Sequence, residues 1–344
     1  MRKFLVAVAM LVSLTLLTWT VLFAAPFYQG KTLRVTVGFS AGGGFDLWAR
    51  LVARHIGKHI PGNPTVVVEN ITGAGGLIQT NQLFKATKPD GLTLGHFNGG
   101  LILGQMLNQP GYDFESQKFI YIGAPNKDNP VFIFTKKSGI TSADKWMASP
   151  VPAKAGGLVP GNLVDNCDRI VKEVLGFPTQ IITGYKGTAD ILIAMESGEV
   201  DAGPPAWDTT KTNRRRALES GDMIPILQGT AKPLKELPRV PKFIDFAKTE
   251  EQKKLVQIVI HYGNDYSRPF AVPPGTPKDR VETLRTAFMK TMSDPEFLSE
   301  VEKMKLTLDP TTAEDLTTAV VNSARVDAAT KAKLKSILFK AEGK

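Results

Sequence analysis

This sequence holds one cysteine, Cys167, in 344 residues, so no intramolecular disulfide can form and the fold must be held by packing. Beyond residue 26 there is no apolar run of the roughly 20 residues that a membrane-spanning helix needs. Low-complexity segments and fixed-period repeats are also missing. With 42% hydrophobic and 22% charged residues, intrinsic disorder and collagen-like repetition are excluded. A basic stripe interleaved with aromatics is lacking, which argues against a nucleic-acid partner. The formal charge of +9 falls to +7 when Arg2 and Lys3 are set aside (9 − 2), and the dense basic cluster, Lys211 with Arg214, Arg215 and Arg216, reads as a solvated helix face.

What is present begins with Met1-Arg2-Lys3 and an almost purely apolar run from Phe4 to Ala25, which reads as an export signal over residues 1–25 with an uncleaved anchor as the alternative. Either way the remainder is expected outside the cytoplasm. No cysteine lies near the end of the run, so lipid attachment is not indicated. At about 150 residues per domain, the length suggests two domains with a cleft between them.

Leu33 to Phe39 alternates apolar and other residues like a strand, Ser40 to Gly44 is a glycine-rich loop, and Leu47, Trp48, Leu51, Val52 and Ile56 recur at helical spacing. The unit repeats: a strand at Val66–Val68, a loop at 70–76, a helix over 77–85 and a strand over 92–97. A second series follows, with strands near 131–135, 153–156 and 180–183 and helices near 143–147, 163–175 and 189–197. Such alternation predicts a parallel α/β sheet in each series. Pro225 and the proline- and charge-rich 232–241 read as a return linker, and 277–339 is almost wholly helical, with Pro277 starting one helix and Pro310 separating others. The expected architecture is a two-lobed clamp of the type II, Venus-flytrap kind: residues 26–125 and 230–344 in one lobe, 126–229 in the other.

Gly38-Phe39-Ser40-Ala41-Gly42 fits G-x-S-x-G between a strand and a helix, so an exported serine hydrolase using Ser40 is the enzyme alternative. Against it, the motif follows the first strand, Gly43 and Gly44 would loosen a strained turn, and His261 is the one late histidine. The glycines complete neither G-x-G-x-x-G nor a phosphate-binding Gly-Lys-Ser/Thr. What remains is physical: residues without Cβ let backbone N–H groups face a ligand at the positive end of a helix dipole. Two such loops, Ser40–Gly44 and Thr72–Gly76, are expected to converge on one anionic group. His55 and His59 have metal-binding spacing but no third ligand in evidence, so no metal or cofactor is expected. Asp46 suits a helix cap or a loop brace, Cys167 a packed small residue, and Trp207 either core or a cleft wall.

Together, Gly38-Phe39-Ser40-Ala41-Gly42-Gly43-Gly44-Phe45-Asp46 with Ala49-Arg50, Val67-Val68-Glu69-Asn70-Ile71-Thr72-Gly73-Ala74-Gly75-Gly76, Lys88 to Leu94, Tyr185-Lys186-Gly187, Gly198 to Ala202 and Pro274 to Pro277 form an ordered set. This set resembles the motifs of the Bug family, the TctC-like solute-binding proteins of tripartite tricarboxylate transporters. The resemblance implies a periplasmic, non-enzymatic binding protein, expected as a monomer, that closes on a small carboxylate, an aromatic acid or a dicarboxylate, and delivers it to TctA- and TctB-like permease subunits. A ligand-presenting sensor would use the same clamp. The resemblance places Phe39, Ser40, Ala41, Gly42, Gly43 and Asp46 in a first anion loop and Thr72, Gly73, Ala74 and Gly75 in a second. Gly157, Leu158 and Asn162, then Tyr185, Lys186, Gly187 and Asp201, are implied to face the cleft from the other lobe. Asn98, past the third strand, and Trp207 complete the set. Gly38 and Thr72 stand where the family has prolines, 262–270 lacks a close match, and the loop 157–162 is more apolar than usual. That last departure implies a larger or more apolar acid than citrate or an amino acid, such as an aromatic carboxylate.

Overall fold

A computed structural model of the chain describes residues 25–158, 160–185 and 187–340, so Lys186 and all but the last residue of the expected export signal, 1–25, lie outside the described residues. In chain order the strands are β1 (Thr32–Val37), β2 (Thr65–Asn70), β3 (Thr93–His96), β4 (Ile120–Ala124), β5 (Val131–Thr135), β6 (Ala153–Gly156), β7 (Thr179–Ile182), β8 (Ala202–Gly203), β9 (Met223–Gln228), β10 (Phe270–Val272) and β11 (Thr311–Thr312). They form two sheets, ordered β11-β4-β10-β3-β1-β2 and β7-β6-β8-β5-β9. This is the two-lobe α/β architecture of periplasmic binding proteins, with a sheet at the heart of each lobe.

The sheets are mixed rather than parallel throughout. β1 runs parallel to β2 and β3, and β6 to β7 and β8, where strand and helix alternate in sequence. β10 is antiparallel to β3 and β4, β11 to β4, and β5 to β8 and β9. These strands arrive from distant parts of the chain, so no crossover helix dictates their direction. Pro225, expected in a linker, lies within β9. It is tolerated there because β9 is an edge strand and its register against β5 shifts at that point.

Burial follows the sequence patterns. In β1 Leu33, Val35 and Val37 face a core completed by Trp48, Leu51, Val52 and Ile56 of the helix Gly44–Ile56 and by Leu284 and Phe288 of the helix Lys278–Met292. The second sheet's core gathers Phe132, Phe134, Trp146, Cys167, Ile170 and Phe177, and Cys167 is buried, as a packed small residue should be. Its helix starting at Leu163 becomes a π-helical turn over Ile170–Val174.

Leu255 to Ile260 and the C-terminal Leu334, Ile337 and Leu338 pack in this second core. The tail therefore does not rest wholly on the first sheet, as the expected division had it. Periodicity showed that these helices have an apolar face but could not say which sheet would cover it.

Two chain crossings run side by side between the sheets. Asn129 N donates to Asn264 Oδ1 at 2.8 Å, Asn264 Nδ2 to Asn129 Oδ1 at 2.9 Å, and Asp128 N to Ser267 Oγ at 3.1 Å. A separate tie joins the lobes at the helix Trp207–Asn213, where the Asp208 carboxylate accepts from Thr307 N at 3.0 Å and from Thr307 Oγ1.

Candidate functional site

A cavity of about 460 Å³ lies between the sheets, within the size range of small-molecule sites. The loop Phe39–Gly43 and the first residues of the helix Gly44–Ile56 form one wall, and Asp128, Pro130, Leu158 and Asn162–Val164 face it with the start of the helix Thr188–Ser197, Pro204, Ala206, Thr209, Asn213 and Arg268. The loop leaves the carboxyl end of β1, the usual ligand position in open α/β sheets. Larger hollows of about 650 and 740 Å³ exist elsewhere, but they are bounded by paired surface charges such as Lys211–Glu236 and Arg214–Glu196.

The loop's shape has identifiable causes. Gly42 takes φ +84°, a conformation that only glycine adopts without strain. Its N–H donates to Asp46 Oδ2 at 2.8 Å, and the same oxygen accepts from Arg50 Nε at 2.9 Å. Asp46 Oδ1 accepts from Asn70 Nδ2 at 2.9 Å, which also donates to Phe39 O at 2.8 Å, while Arg50 Nη2 donates to Asn70 Oδ1 at 3.0 Å. Asn70 ends β2 directly beside Val37 at the end of β1, so the brace grows out of the strand register. Burial works to raise the Asp46 carboxyl, but these donors outweigh it and hold it below the ordinary carboxylate range. Gly43 precedes the helix without a side-chain cap, and Leu47 N, bonded to Gly43 O at 2.9 Å, is the first amide with a helical acceptor. Donors of the first turn are thus aimed at the cavity edge.

Beneath the loop stands an aromatic column. Phe39 stacks on Phe45 at 4.5 Å, Phe45 tilts against His96 at 5.2 Å, and His96 stacks on Phe270 at 4.1 Å. His96 is fully buried and its Nδ1–H donates to Pro269 O at 3.1 Å. Burial pulls its pKa down to about 3. The unfolded chain binds this proton below about 6.5 and the folded chain refuses it until about 3, so stability should fall as pH drops through that window. The slope is at most about 1.4 kcal/mol per pH unit from this group, with Asp46 adding loss below about pH 4. Urea unfolding at pH 7, 6, 5 and 4 checks this: His96→Gln should flatten the upper part of the decline, and an unchanged slope would refute the assignment.

Of the residues expected at the site, the structure brings Phe39, Ser40, Ala41, Gly42, Gly43, Leu158, Asn162 and Gly187 together around the cavity. Asn162 also caps the helix Leu163–Arg169 by accepting from Val164 N at 2.9 Å. Asp46 sits behind the wall as the brace. Thr72, Gly73, Ala74 and Gly75 of the second loop are not in the described lining; the loop's end comes close to the first, where a Cβ on Gly38 would lie 2.8 Å from Gly76 Cα and one on Gly76 would lie 3.5 Å from the Phe39 ring. Asn98 is buried beside the crossing and accepts from Gly100 N at 2.9 Å. Gly157 faces Asp165 and Asp168 rather than the cavity.

Tyr185 turns its hydroxyl to Glu199 Oε1 at 2.7 Å, and Asp201 accepts from Lys154 N at 2.9 Å, so both serve the frame of the second sheet. Trp207 is core, packed with Val131, Ile133 and Val164, and its Nε1–H reaches Glu236. Phe45, Asp128 and Arg268 were missed. The one available signal was that 262–270 departs from the pattern of the surrounding motifs.

Among the described residues that line the cavity beside Ser40 there is no histidine, and the acids there are Asp128 and Asp190. His55 and His59 face Asp294 and Glu300, and His55, Asp294 and Glu296 are close enough to share a cation. Lys58 Nζ already lies 2.9 Å from Asp294 and 2.6 Å from Glu296, so the cluster reads as an ion-pair seam between helices. No helix of the described residues is long and apolar enough to cross a membrane.

The chain matches the model of the tripartite tricarboxylate transporter family receptor, TctC, over residues 48–332. It is 24% identical over 301 residues to a UPF0065 protein encoded in the gbd 5′ region of Cupriavidus necator, covering 81% of this chain and 80% of that one. An R. palustris protein solved with adipate is similar in structure, with TM-score 0.67, 21% identity, and coverage of 90% of this chain and 98% of that one. MatC from Rhodopseudomonas palustris, solved with bound malate, has TM-score 0.66 and 16% identity, covering 90% of this chain and 99% of that one.

Proposed function

We propose a function from one premise: this chain belongs to the tripartite tricarboxylate transporter receptor family. It captures a small carboxylate in the periplasm by hinge closure and hands it to TctA- and TctB-like permease subunits, acting as a monomer without cofactor or chemistry. The moving bodies are the two sheets with their helices, the second taking the segments around 243–262 and 328–339 with it. Ligand contacts from both bodies favour the closed arrangement.

The observation that carries this reading is the cavity between the sheets, where a helix start with free first-turn donors faces a wall contributed by the other sheet. Relatives of the same fold were solved with adipate and with malate, which supports a carboxylate as cargo. Leu158, Pro130, Leu163, Val164, Pro204 and Ala206 supply an apolar far wall, which favours an acid with an apolar body, such as an aromatic carboxylate.

A thermal-shift panel of benzoate, phenylacetate, adipate, malate, citrate and glutamate tests this. A bound acid at 100 times its Kd adds about 2.7 kcal/mol, a shift of several degrees. Stabilisation by benzoate, phenylacetate or adipate is the expected result. Stabilisation by citrate or glutamate alone would remove the apolar acid, and no response to any acid would remove the carboxylate.

A further inference from the structure

Arg268 sits at the cavity with an arrangement that makes little sense for an unliganded structural residue. It is 7% exposed, its Nε–H donates to Asp128 Oδ1, and its guanidinium carbon lies 4.6 Å over the Phe45 ring. Nη1 is buried with no hydrogen-bond partner. Both terminal nitrogens would lie 3.2 Å from a Cβ placed on Gly44, the first residue of the helix Gly44–Ile56, so the cation rests directly on the helix start.

Two features of this placement are unfavourable by themselves. A buried donor left unmade is costly, and a positive group at a helix N-terminus opposes the dipole. An anion lodged between guanidinium and first-turn amides relieves both at once. The alternative, a plain ion pair tying the crossings, accounts for Nε and Asp128, and the Phe45 ring accounts for the face of the guanidinium, but Nη1 is left without a partner.

We infer that Arg268 is the charged anchor of this cavity, binding one carboxylate of the ligand through Nη1–H together with the backbone N–H groups that open the helix Gly44–Ile56. The inference rests on the reading of the cavity as a carboxylate site and deepens it. Asp128 is a positioning residue that grips one edge of the guanidinium and leaves the other for the ligand. Arg268 is the one cation on the described wall, and the other charged groups there, Asp128 and Asp190, are acidic. With the apolar far wall, this favours a monocarboxylate with an apolar body over a tricarboxylate.

Calorimetric titration of benzoate, phenylacetate and adipate into the mature chain and its Arg268→Gln, Arg268→Lys and Asp128→Asn variants tests the anchor, with benzamide as the uncharged probe. Arg268→Gln should weaken the acid that binds wild type best by roughly 100-fold, the usual scale for losing a buried charge partner. Arg268→Lys should keep most of that affinity, and Asp128→Asn should keep or improve it, because the amide oxygen still accepts from Nε while the negative charge that repels an anion is gone. Benzamide binding should change little in any variant.

A well-folded Arg268→Gln that binds the acid within about three-fold of wild type overturns the anchor while leaving the carboxylate site standing. Should that variant fail to fold, equal losses in Arg268→Lys and Asp128→Asn overturn it, since they mark a merely structural pair. A wild type that binds none of the acids removes the carboxylate reading and the anchor together.

Discussion

Replacing Asp46 with alanine should lower folding stability by about 2–3 kcal/mol and weaken ligand capture by roughly 10-fold or more, because three donors lose their acceptor at once. Gly42 N, Asn70 Nδ2 and Arg50 Nε all converge on this carboxylate, which is 2% exposed. The Arg50 contribution is discounted, since that side chain is 44% exposed and water can replace the lost bond. Gly42 and Asn70 are different: without the acceptor, the Gly42 N–H at φ +84° loses its side-chain partner and Asn70 Nδ2 keeps only Phe39 O. Asp46→Asn keeps an acceptor oxygen for Gly42 and should recover part of both losses. Urea unfolding and calorimetry with the best-binding acid check the outcome. An Asp46→Ala protein with wild-type stability and affinity would show that the loop is held by something else.

Trp146→Ala should cost about 3–5 kcal/mol, the range for emptying a large buried aromatic site. Its ring is fully buried at 4.9 Å from Phe132, 4.8 Å from Phe134 and 4.5 Å from Phe177, and Nε1–H donates to Pro178 O at 3.2 Å. The neighbours come from β5 and from the approach to β7, so the cavity left behind cannot close without moving the sheet. Trp146→Phe should recover a large share. Ligand affinity of the folded Trp146→Ala fraction should stay near wild type, because neither Trp146 nor the Phe132, Phe134 and Phe177 rings around it line the cavity. A loss of unfolding free energy below about 1 kcal/mol in urea titration would mean that the second core tolerates the void.

The two effects differ in how visible they were beforehand. Asp46 stood out in the chain as the acid just inside the helix that follows a glycine-rich loop, and its bonding to Gly42 is a local, four-residue matter. Trp146 carried only the message of a short apolar helix. That it completes an aromatic cluster depends on β5 and β7 being brought to the same face.

Strand and helix positions were legible because alternation and 3.6-residue spacing report burial within a few residues of chain. β1, the helix Gly44–Ile56, β2 and the helix Leu77–Lys85 follow the written pattern closely. Likewise, the first glycine-rich loop declared itself, since the lack of Cβ and its place before a helix are properties of adjacent residues. Strand direction and sheet membership were not written that way. β10 runs against β3, and Leu334–Leu338 join the second core, because apolar faces specify that they are covered and not by what. The second glycine-rich loop, equally clear as a motif, meets the first through the close approach of Gly38 and Gly76, a contact between residues 38 positions apart that neither motif records.

By itself, then, the sequence determined most of the elements, the family motifs and the loop with its Gly42–Asp46 bond, since each is encoded by near neighbours. Only the tertiary structure decided that Arg268 and Asp128, 140 residues apart, meet at the start of that helix, because the crossings that carry them lie side by side. Charge at a site is a property of where the chain returns, and no local pattern of residues records it.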